Sequence, residues 1–221
     1  TSPVLFMLNE ATWQAYNFRA GLSYYPDDSL GRGSTTSVSY DRPYDQCDYV
    51  WNCPPWRNLT LIKWMESNGY TPEYAANYDL HTTPDLVSHY RFFMDDAHDE
   101  YWSWETFDQI AAHIARGRNA ASFSSNTAYW QIRYENGGRD QVSYKGFYTS
   151  DPVYTDGDPS NDHLTTYYFC KPPVSRCTTT VFAVTYFNGG NAKPASNCPS
   201  CTGGYTAYYP GHWLWEGTGV K

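Results

Sequence analysis

The sequence predicts an α/β fold with a mostly parallel open sheet and helices on both faces. Short apolar runs with strand character alternate with segments of helical periodicity over residues 4–123, and this alternation is typical of βα units. The 221 residues are enough to bury a full core. One domain is expected over residues 1–221, with residues 140–210 as a β-rich excursion that carries disulfides.

Apolar periodicity and capping residues assign the elements of the first part of the chain. Asn58 is expected to begin a helix in which Leu61, Ile62 and Met65 share one face, and Asn68-Gly69 ends it. The expected elements are, in order, strand 4–8, strand 37–40, helix 58–67, strand 73–79, helix 84–88, strand 90–94, a helix from Ser103 to Gly117, and strand 120–123.

Helical periodicity disappears after Tyr134. Three later segments contain many β-forming residues and are separated by Gly, Pro and Asn. They are residues 165–169, 179–187 and 205–209. These segments are the reason for expecting a β-rich excursion.

The segment His98-Asp99-Glu100-Tyr101-Trp102 lies between an expected strand and an expected helix. In open α/β sheets, ligands bind at the carboxyl ends of the strands. An imidazole and two carboxylates at that position therefore suggest a functional site. His98 and Glu100 are two residues apart, so on an extended backbone they would share a face. Asp95, Asp96 and Asp99 are expected to be solvated or capping charges.

Composition argues against two classes of partner. The formal net charge is −8 and no run of Lys or Arg occurs, so nucleic acid is not an expected partner. No apolar stretch approaches the roughly 20 residues that span a bilayer, so no membrane span is expected. The chain begins at Thr1, which suggests that a signal peptide or an upstream segment was removed.

Six cysteines form three pairs that are close in sequence, and local pairing is expected for Cys47–Cys53, Cys170–Cys177 and Cys198–Cys201. Disulfides would indicate an oxidising, extracellular location. A zinc site at Cys198 and Cys201 is the alternative, but the sequence has no second CxxC. Asn58-Leu59-Thr60 is a possible glycosylation acceptor, which would agree with secretion.

Aromatic residues make up 19% of the chain, and 22 of them are tyrosines. Each buried tyrosine hydroxyl needs a hydrogen-bond partner, so a sizeable share of these side chains should be exposed. Residues 140–210 are the expected location of such contacts, either between copies in a homo-oligomer or filament, or with glycan.

Several motifs occur together in one order, and that order carries a resemblance to a known family. They are Thr12-Trp13-Gln14-Ala15-Tyr16-Asn17, Ser39-Tyr40-Asp41-Arg42-Pro43-Tyr44, Asn68-Gly69-Tyr70 with Tyr78-Asp79-Leu80-His81, His98-Asp99-Glu100-Tyr101-Trp102-Ser103, Ser125-Asn126-Thr127-Ala128-Tyr129-Trp130, and His212-Trp213 with Glu216-Gly217-Thr218-Gly219. Together they resemble the C-terminal catalytic domain of the N,N-dimethylformamidase large (beta) subunit family.

The resemblance implies a class I glutamine-amidotransferase-like α/β fold and a mononuclear iron held by two tyrosines and one glutamate. By motif, the implied metal ligands are Tyr16, Tyr44 and Glu100. The implied catalytic neighbours are His98, Asn126, Glu216 and Thr12. Phenolates and carboxylates are hard oxygen donors that suit a Lewis-acidic iron. Such an ion would polarise an amide carbonyl and lower the pKa of bound water.

Each of these residues also has a purely structural interpretation. Glu100 suits a helix N-terminus, His98 could be a satisfied structural histidine, Asn126 could be a cap, and Glu216 could be a surface turn residue. The three cysteine pairs and the tyrosine excess do not suit a cytoplasmic enzyme. Two functions are therefore carried forward: a secreted, metal-dependent hydrolase of small amides, and a non-catalytic extracellular structural, filament-forming or adhesion protein on the same fold.

Overall fold

The computed structural model describes residues 2–26, 31–44, 58–182 and 209–219. The chain divides into two compact units, Thr1–Tyr186 and Phe187–Lys221. In the second unit the described residues include one short 3₁₀ helix, Trp213–Trp215. Within the described ranges, no helix is long and apolar enough to cross a membrane.

The first unit contains eight described strands in two sheets, together with six described α-helices. The strands are β1 (Val4–Leu8), β2 (Ser37–Ser39), β3 (Glu73–Ala76), β4 (Phe92–His98), β5 (Tyr101–Ser103), β6 (Asn119–Ser125), β7 (Trp130–Glu135) and β8 (Asp140–Val142). The helices are α1 (Glu10–Ala15), α2 (Asn58–Ser67), α3 (Asn77–Thr82), α4 (Trp104–Ala115), α5 (Pro152–Thr155) and α6 (Thr179–Phe182).

One sheet is fully parallel, with the strand order β3-β1-β4-β6. From β1 the chain passes to β3 on one side of the sheet, and β4 and β6 continue on the other side. The strand order therefore reverses between β1 and β4. In open α/β sheets, the crevice outside the carboxyl ends of the strands at such a reversal is the usual ligand-binding position.

Helices cover both faces of the parallel sheet, as the sequence predicts. In β1, Leu5 and Met7 pack in one cluster with Ile110 of α4. Phe6, between them, packs in a different cluster with Met65 of α2. Successive side chains of a strand point to opposite faces, so α4 and α2 lie on opposite sides of the sheet. An all-apolar strand such as β1 is what this two-sided burial requires.

The second sheet is mixed, with the order β2-β8-β7-β5. β5 and β7 run parallel, whereas β8 is antiparallel to both β7 and β2. The buried side chains Val38, Tyr101 and Ile132 of this mixed sheet form a cluster with Ala11 and Ala15 of α1. Helix α1 therefore follows strand β1 of the parallel sheet in the chain, but it packs on the mixed sheet.

Three predicted strand assignments need correction. The expected strand 73–79 ends at Ala76, where α3 begins. Over residues 165–169 the only strand-like pairing in the described structure is an isolated bridge from Tyr168 to Trp130. The expected strand at 179–187 begins as helix α6, because the N–H groups of Val181 and Phe182 donate to Thr178 O.

The described part of the expected β-rich excursion, residues 140–182, therefore contains one short strand followed mainly by short helices. Its predicted disulfide Cys170–Cys177 is present. The expected pairs Cys47–Cys53 and Cys198–Cys201, and residues 205–208 of the expected third strand, lie outside the described residues.

Asn58 begins α2 as predicted, but its position disagrees with the expected glycan. The residue is fully buried. Its Nδ2 donates to Asn9 Oδ1 at 3.1 Å and also to Asp96 Oδ1. The nitrogen that glycosylation would modify therefore anchors α2 to residues of the parallel sheet and its carboxyl end.

Candidate active site at the carboxyl edge of the parallel sheet

Two neighbouring strands deliver the central residues of the site. Strand β1 leads into α1, which contains Thr12 and ends immediately before Tyr16. Strand β4 ends at His98, and Glu100 follows two residues later. Because β1 and β4 pair in parallel, their carboxyl ends meet at the point where the strand order reverses. Residues that are 84 positions apart, Tyr16 and Glu100, are thereby brought together.

Thr12 fixes the position of the Glu100 backbone. Its Oγ1 accepts hydrogen bonds from the N–H of Glu100 at 2.8 Å and of Tyr101 at 3.3 Å. Thr12 and Tyr101 are completely buried. Buried N–H groups without an acceptor are costly, so this hydroxyl both satisfies and positions the turn between β4 and β5.

The Glu100 side chain is 4% exposed. All the hydrogen bonds described for its carboxylate come from other side chains. Tyr16 Oη donates to Oε2 at 2.8 Å, and Trp130 Nε1 donates to Oε1 at 3.0 Å. Tyr25 Oη lies 3.3 Å from Oε1 and 3.4 Å from Oε2. His98 Nε2 lies 3.4 Å from Oε2. One buried carboxylate is thus surrounded by two phenols, an indole and an imidazole.

The phenols also contact one another. Tyr16 Oη and Tyr25 Oη are 2.9 Å apart, and their rings stack with centroids 4.3 Å apart and an interplanar angle of 17°. Tyr25 Oη lies 2.7 Å from Tyr101 Oη. We name the residues Tyr16, Tyr25, His98 and Glu100 the Glu100 cluster.

Burial determines the protonation of this cluster. Burial raises the pKa of Glu100, while hydrogen bonds from Tyr16, Trp130 and Tyr25 and the charge of Lys145 oppose that rise. Burial, followed by the negative charge of Glu100, raises the pKa of both Tyr16 and Tyr25 above the usual range. The phenols therefore keep their protons and donate them as hydrogen bonds unless a cation enters the cluster.

The donor set fits the iron that the sequence resemblance implies. Two phenolates and one carboxylate carry three negative charges, which balance a trivalent ion, and all three are hard donors. The three groups lie close together: Tyr16 Oη is 2.8 Å from Glu100 Oε2 and 2.9 Å from Tyr25 Oη, and Tyr25 Oη is 3.3 Å from Glu100 Oε1. Within the described ranges, no group of three His, Cys, Asp or Glu side chains could hold a metal, so any ion here would depend on the phenols.

Among the hydrogen bonds described for Glu100, none comes from the other predicted tyrosine ligand, Tyr44. Burial, and then the charge of Glu10, raises the pKa of Tyr44, and Arg42 acts in the opposite direction. The phenol in contact with both Tyr16 and Glu100 is Tyr25. Tyr25 is thus an additional phenol at this carboxylate, nine residues after Tyr16, and the role of Tyr44 as a ligand stays a prediction.

The other predicted residues lie at different distances from this centre. Asn126 follows β6 at the same edge of the sheet, with a left-handed backbone (φ 56°). Its side chain makes no hydrogen bond to Glu100 or the two phenols in the described structure. Glu216 is exposed and belongs to the second unit, where it follows the short helix Trp213–Trp215. Its catalytic role stays a prediction.

Sequence reasoning missed Tyr25, Tyr101, Trp130 and Lys145. Tyr101 and Trp130 lie inside quoted motifs, beside Glu100 and after Asn126, so these motifs contained the signal. Tyr25 lies in an irregular Gly/Ser/Asp-rich segment without periodicity. Lys145 lies 45 residues beyond Glu100, and its Nζ is 3.5 Å from the Tyr25 ring centroid. No local pattern indicates either of these two positions.

The three aspartates before Glu100 are buried, so the prediction that they are solvated or capping charges is wrong. Asp95 and Asp99 have no exposed surface, and Asp96 is 6% exposed. Strand β4 is an inner strand of a sheet that helices cover on both faces, and Asp95 and Asp96 lie in its buried stretch. Burial raises the pKa of Asp95 to about 7 and that of Asp96 to about 6.

The chain is similar to known proteins over all or half of its length. The family model described as N,N-dimethylformamidase beta subunit-like, C-terminal, matches residues 1–221. The N,N-dimethylformamidase beta subunit of Paracoccus aminophilus is 29% identical over 121 residues, which are 51% of this chain and 16% of that protein. A protein of the same name from an Alcaligenes species is 28% identical over 121 residues, with the same coverage. The aligned segment is thus a small part of each of these relatives. Because the family match extends over the whole chain, this protein belongs to the N,N-dimethylformamidase beta subunit-like, C-terminal family.

Proposed function

We propose that this chain is a metal-dependent hydrolase of amides, with the Glu100 cluster as its reaction centre. The observation that carries the proposal is the convergence of two phenols and an imidazole on one buried carboxylate. The names of the relatives, which denote an amidase subunit, support the same reaction class. Small amides are the substrate class that these names suggest.

Tyr16, Tyr25 and Glu100 would hold the iron. When bound, the ion would supply Lewis-acid activation of the amide carbonyl and of a water molecule. It would also favour the charged forms of the phenols, whose protons would leave as the ion enters. The further predicted ligand, Tyr44, is tested against Tyr25 below.

The chain's own residues supply proton handling and positioning. His98 Nε2 lies 3.4 Å from Glu100 Oε2 and its side chain is 13% exposed. It is therefore placed at the border between the buried carboxylate and solvent, where an imidazole can accept a proton from water and deliver it to a departing amine. Asn126 at the end of β6 is the candidate donor for a developing oxyanion. Thr12 fixes the backbone of Glu100.

The direct test is iron loading of the purified protein and of the Glu100→Gln variant. We expect the wild type to bind iron(III) with a tyrosinate charge-transfer absorption and to release amine from small amides. Glu100→Gln should lose the absorption, the bound iron and the hydrolysis. Glu10→Gln is a matched control, because Glu10 is a second glutamate with a raised pKa and tyrosine contacts. The control should keep all three properties. Equal iron binding by Glu100→Gln and the wild type would overturn the assignment of the site.

A secreted, non-catalytic role is the second candidate, and exposed aromatic side chains favour it. Trp64 and Tyr70 are 56% and 53% exposed, and their rings stack with centroids 6.0 Å apart. Phe147, within the expected contact region 140–210, is 72% exposed. The disulfide Cys170–Cys177 suits an oxidising compartment. Under this role the protein binds no metal and self-associates, and light scattering of the metal-free protein measures the second property.

A further inference from the structure

A cleft of about 570 Å³ borders the Glu100 cluster. Pockets of this size hold ligands much larger than a simple formamide. Tyr25 lines the cleft and also contacts Glu100, so the two share a wall. Most of the remaining described lining is aromatic or hydroxylic, and Lys145 adds one ammonium group. The lining includes Thr35, Ser143, Tyr144, Lys145 and Phe147.

Lys145 is the charged side chain of this lining. Its Nζ lies 3.5 Å from the ring centroid of Tyr25 and 5.2 Å from that of Trp130. No carboxylate of the described residues lies within ion-pair distance of Nζ. A partly buried ammonium with three donors gains from an acceptor that enters the cleft.

Backbone contacts hold Lys145 in place. The backbone of Lys145 has a φ of 52°, a value that residues other than glycine rarely adopt. Its N–H donates to Thr166 O at 3.0 Å, and the preceding Tyr144 N–H donates to Thr166 Oγ1 at 2.9 Å. The ammonium therefore projects from an anchored backbone.

We propose that this cleft binds amides that also carry a carboxylate, with Lys145 paired to that carboxylate. Lys145 Nζ lies against the ring of Tyr25 and the Glu100 carboxylate lies at the hydroxyl of the same residue. The amide of such a molecule would lie against Tyr25, the side chain that the described lining shares with the Glu100 cluster. This inference rests on the proposed function for the amide part. The exposed ring of Phe147 in the lining suits a flat group on the same ligand.

The test compares the binding of N-benzoylglycine with that of N-methylbenzamide, a neutral amide with the same ring, by calorimetry. The wild type should bind the carboxylate compound at least about tenfold more tightly, which corresponds to about 1.4 kcal/mol. Lys145→Met should remove this preference while keeping the weaker affinity for the neutral amide. Lys145→Arg should keep most of the preference, since the charge remains.

Lys171→Met is the matched control, because Lys171 Nζ also lies over a tyrosine ring, 4.4 Å from the Tyr168 centroid, but outside the described lining of the cleft. It should behave like the wild type. Equal binding of the two compounds by the wild type, no binding of either, or a preference that survives in Lys145→Met would each overturn the inference.

Hydrolysis of both compounds by the iron-loaded protein separates this inference from the proposed function. Hydrolysis without a carboxylate preference contradicts the assignment of the cleft and leaves the hydrolase proposal standing. A carboxylate preference that depends on Lys145, without hydrolysis of either amide, supports the anion-binding cleft and contradicts the hydrolase.

Discussion

Two glutamates in this chain have similar surroundings, but only one of them is placed to take part in a reaction. Glu10 and Glu100 both have a raised pKa, both accept a hydrogen bond from a tyrosine, and both lie beyond the carboxyl end of a strand of the parallel sheet. Glu10, however, accepts from the backbone N–H groups of Asn77 and Tyr78, each at 2.6 Å. It therefore serves as the N-terminal cap of α3.

The difference between Glu10 and Glu100 lies in the groups that donate hydrogen bonds to each carboxylate. A backbone N–H cannot give up its proton, so a carboxylate that caps a helix stays committed to that helix. The donors to Glu100 include two phenols, which can lose their protons to become ligands themselves. Glu100 also has an imidazole beside it and a cleft behind Tyr25. A buried glutamate near tyrosines is thus a candidate ligand only where its partners are titratable side chains.

The largest expected effect concerns the second phenol. Tyr25→Phe should lower iron affinity by more than the roughly 10–100-fold typical for residues that only support a metal ligand, because it would remove a direct ligand. It should also weaken the tyrosinate absorption. Tyr44→Phe should change neither by more than about twofold, which is below that range. Iron titration followed by visible absorption measures both. Loss of iron from Tyr44→Phe and not from Tyr25→Phe would restore the motif-based assignment.

Glu10→Ala should destabilise the fold and leave the metal site intact. It removes the acceptor of two backbone N–H groups at the start of α3, and each unsatisfied buried group costs about 1–3 kcal/mol. We expect a loss of about 2–4 kcal/mol in urea unfolding. Glu10→Gln keeps one acceptor oxygen and should cost less. An unchanged unfolding midpoint in Glu10→Ala would show that water or another group caps α3 equally well.

The titration of Glu10 should appear as a pH dependence of stability. Its pKa is raised from 4.5 to about 7 in the folded chain, mainly by burial. The folded state therefore binds the proton more tightly than the unfolded state. This contribution is complete below about pH 4.5 and is lost as the pH rises through 7. We expect the free energy of unfolding to fall by about 1–3 kcal/mol over that interval on account of this group. The Glu10→Gln variant should show a correspondingly shallower fall, and a parallel profile would contradict the assignment.

The smallest expected effect tests how Glu100 is positioned. Thr12→Val removes the hydroxyl that accepts the N–H groups of Glu100 and Tyr101. We expect iron affinity to fall by about tenfold, as for other residues that orient a ligand, with a modest loss of stability. Thr12→Ser keeps the acceptor and should retain wild-type affinity. If Ser and Val behave alike, the methyl packing of Thr12 matters and its hydroxyl does not.

Local pattern was sufficient for much of the parallel sheet. The apolar run Val4–Leu8 is a strand with the predicted bounds. Ser103 caps α4 through a hydrogen bond from Thr106 N to its side chain. These features depend on residues a few positions apart, so the order of the residues contains them. The same holds for His98 and Glu100, which lie at the end of a strand and two residues beyond it.

Non-local contacts escaped sequence reasoning wherever they override local preference. Residues 77–79 look like a continuation of a strand, and become the start of α3 because Glu10 caps it from 67 residues away. Residues 179–182 contain β-forming side chains, and become a helix beside the Cys170–Cys177 disulfide, with Val181 and Phe182 packed against the main core. In both cases the tertiary contacts stabilise the helix by more than the local β-propensity of a few residues would stabilise a strand.

For the candidate site, the sequence by itself determined which elements carry Tyr16, His98 and Glu100, because motif and strand end are both local. Only the tertiary structure decided that Tyr25 meets Glu100 and that Lys145 lines a cleft that Tyr25 also lines. A loop without periodicity has no pattern from which its return to the sheet edge could be inferred. Its course depends on packing against the mixed sheet, where Tyr24 and Tyr25 join the cluster around Tyr101, and that packing brings Tyr25 to Glu100.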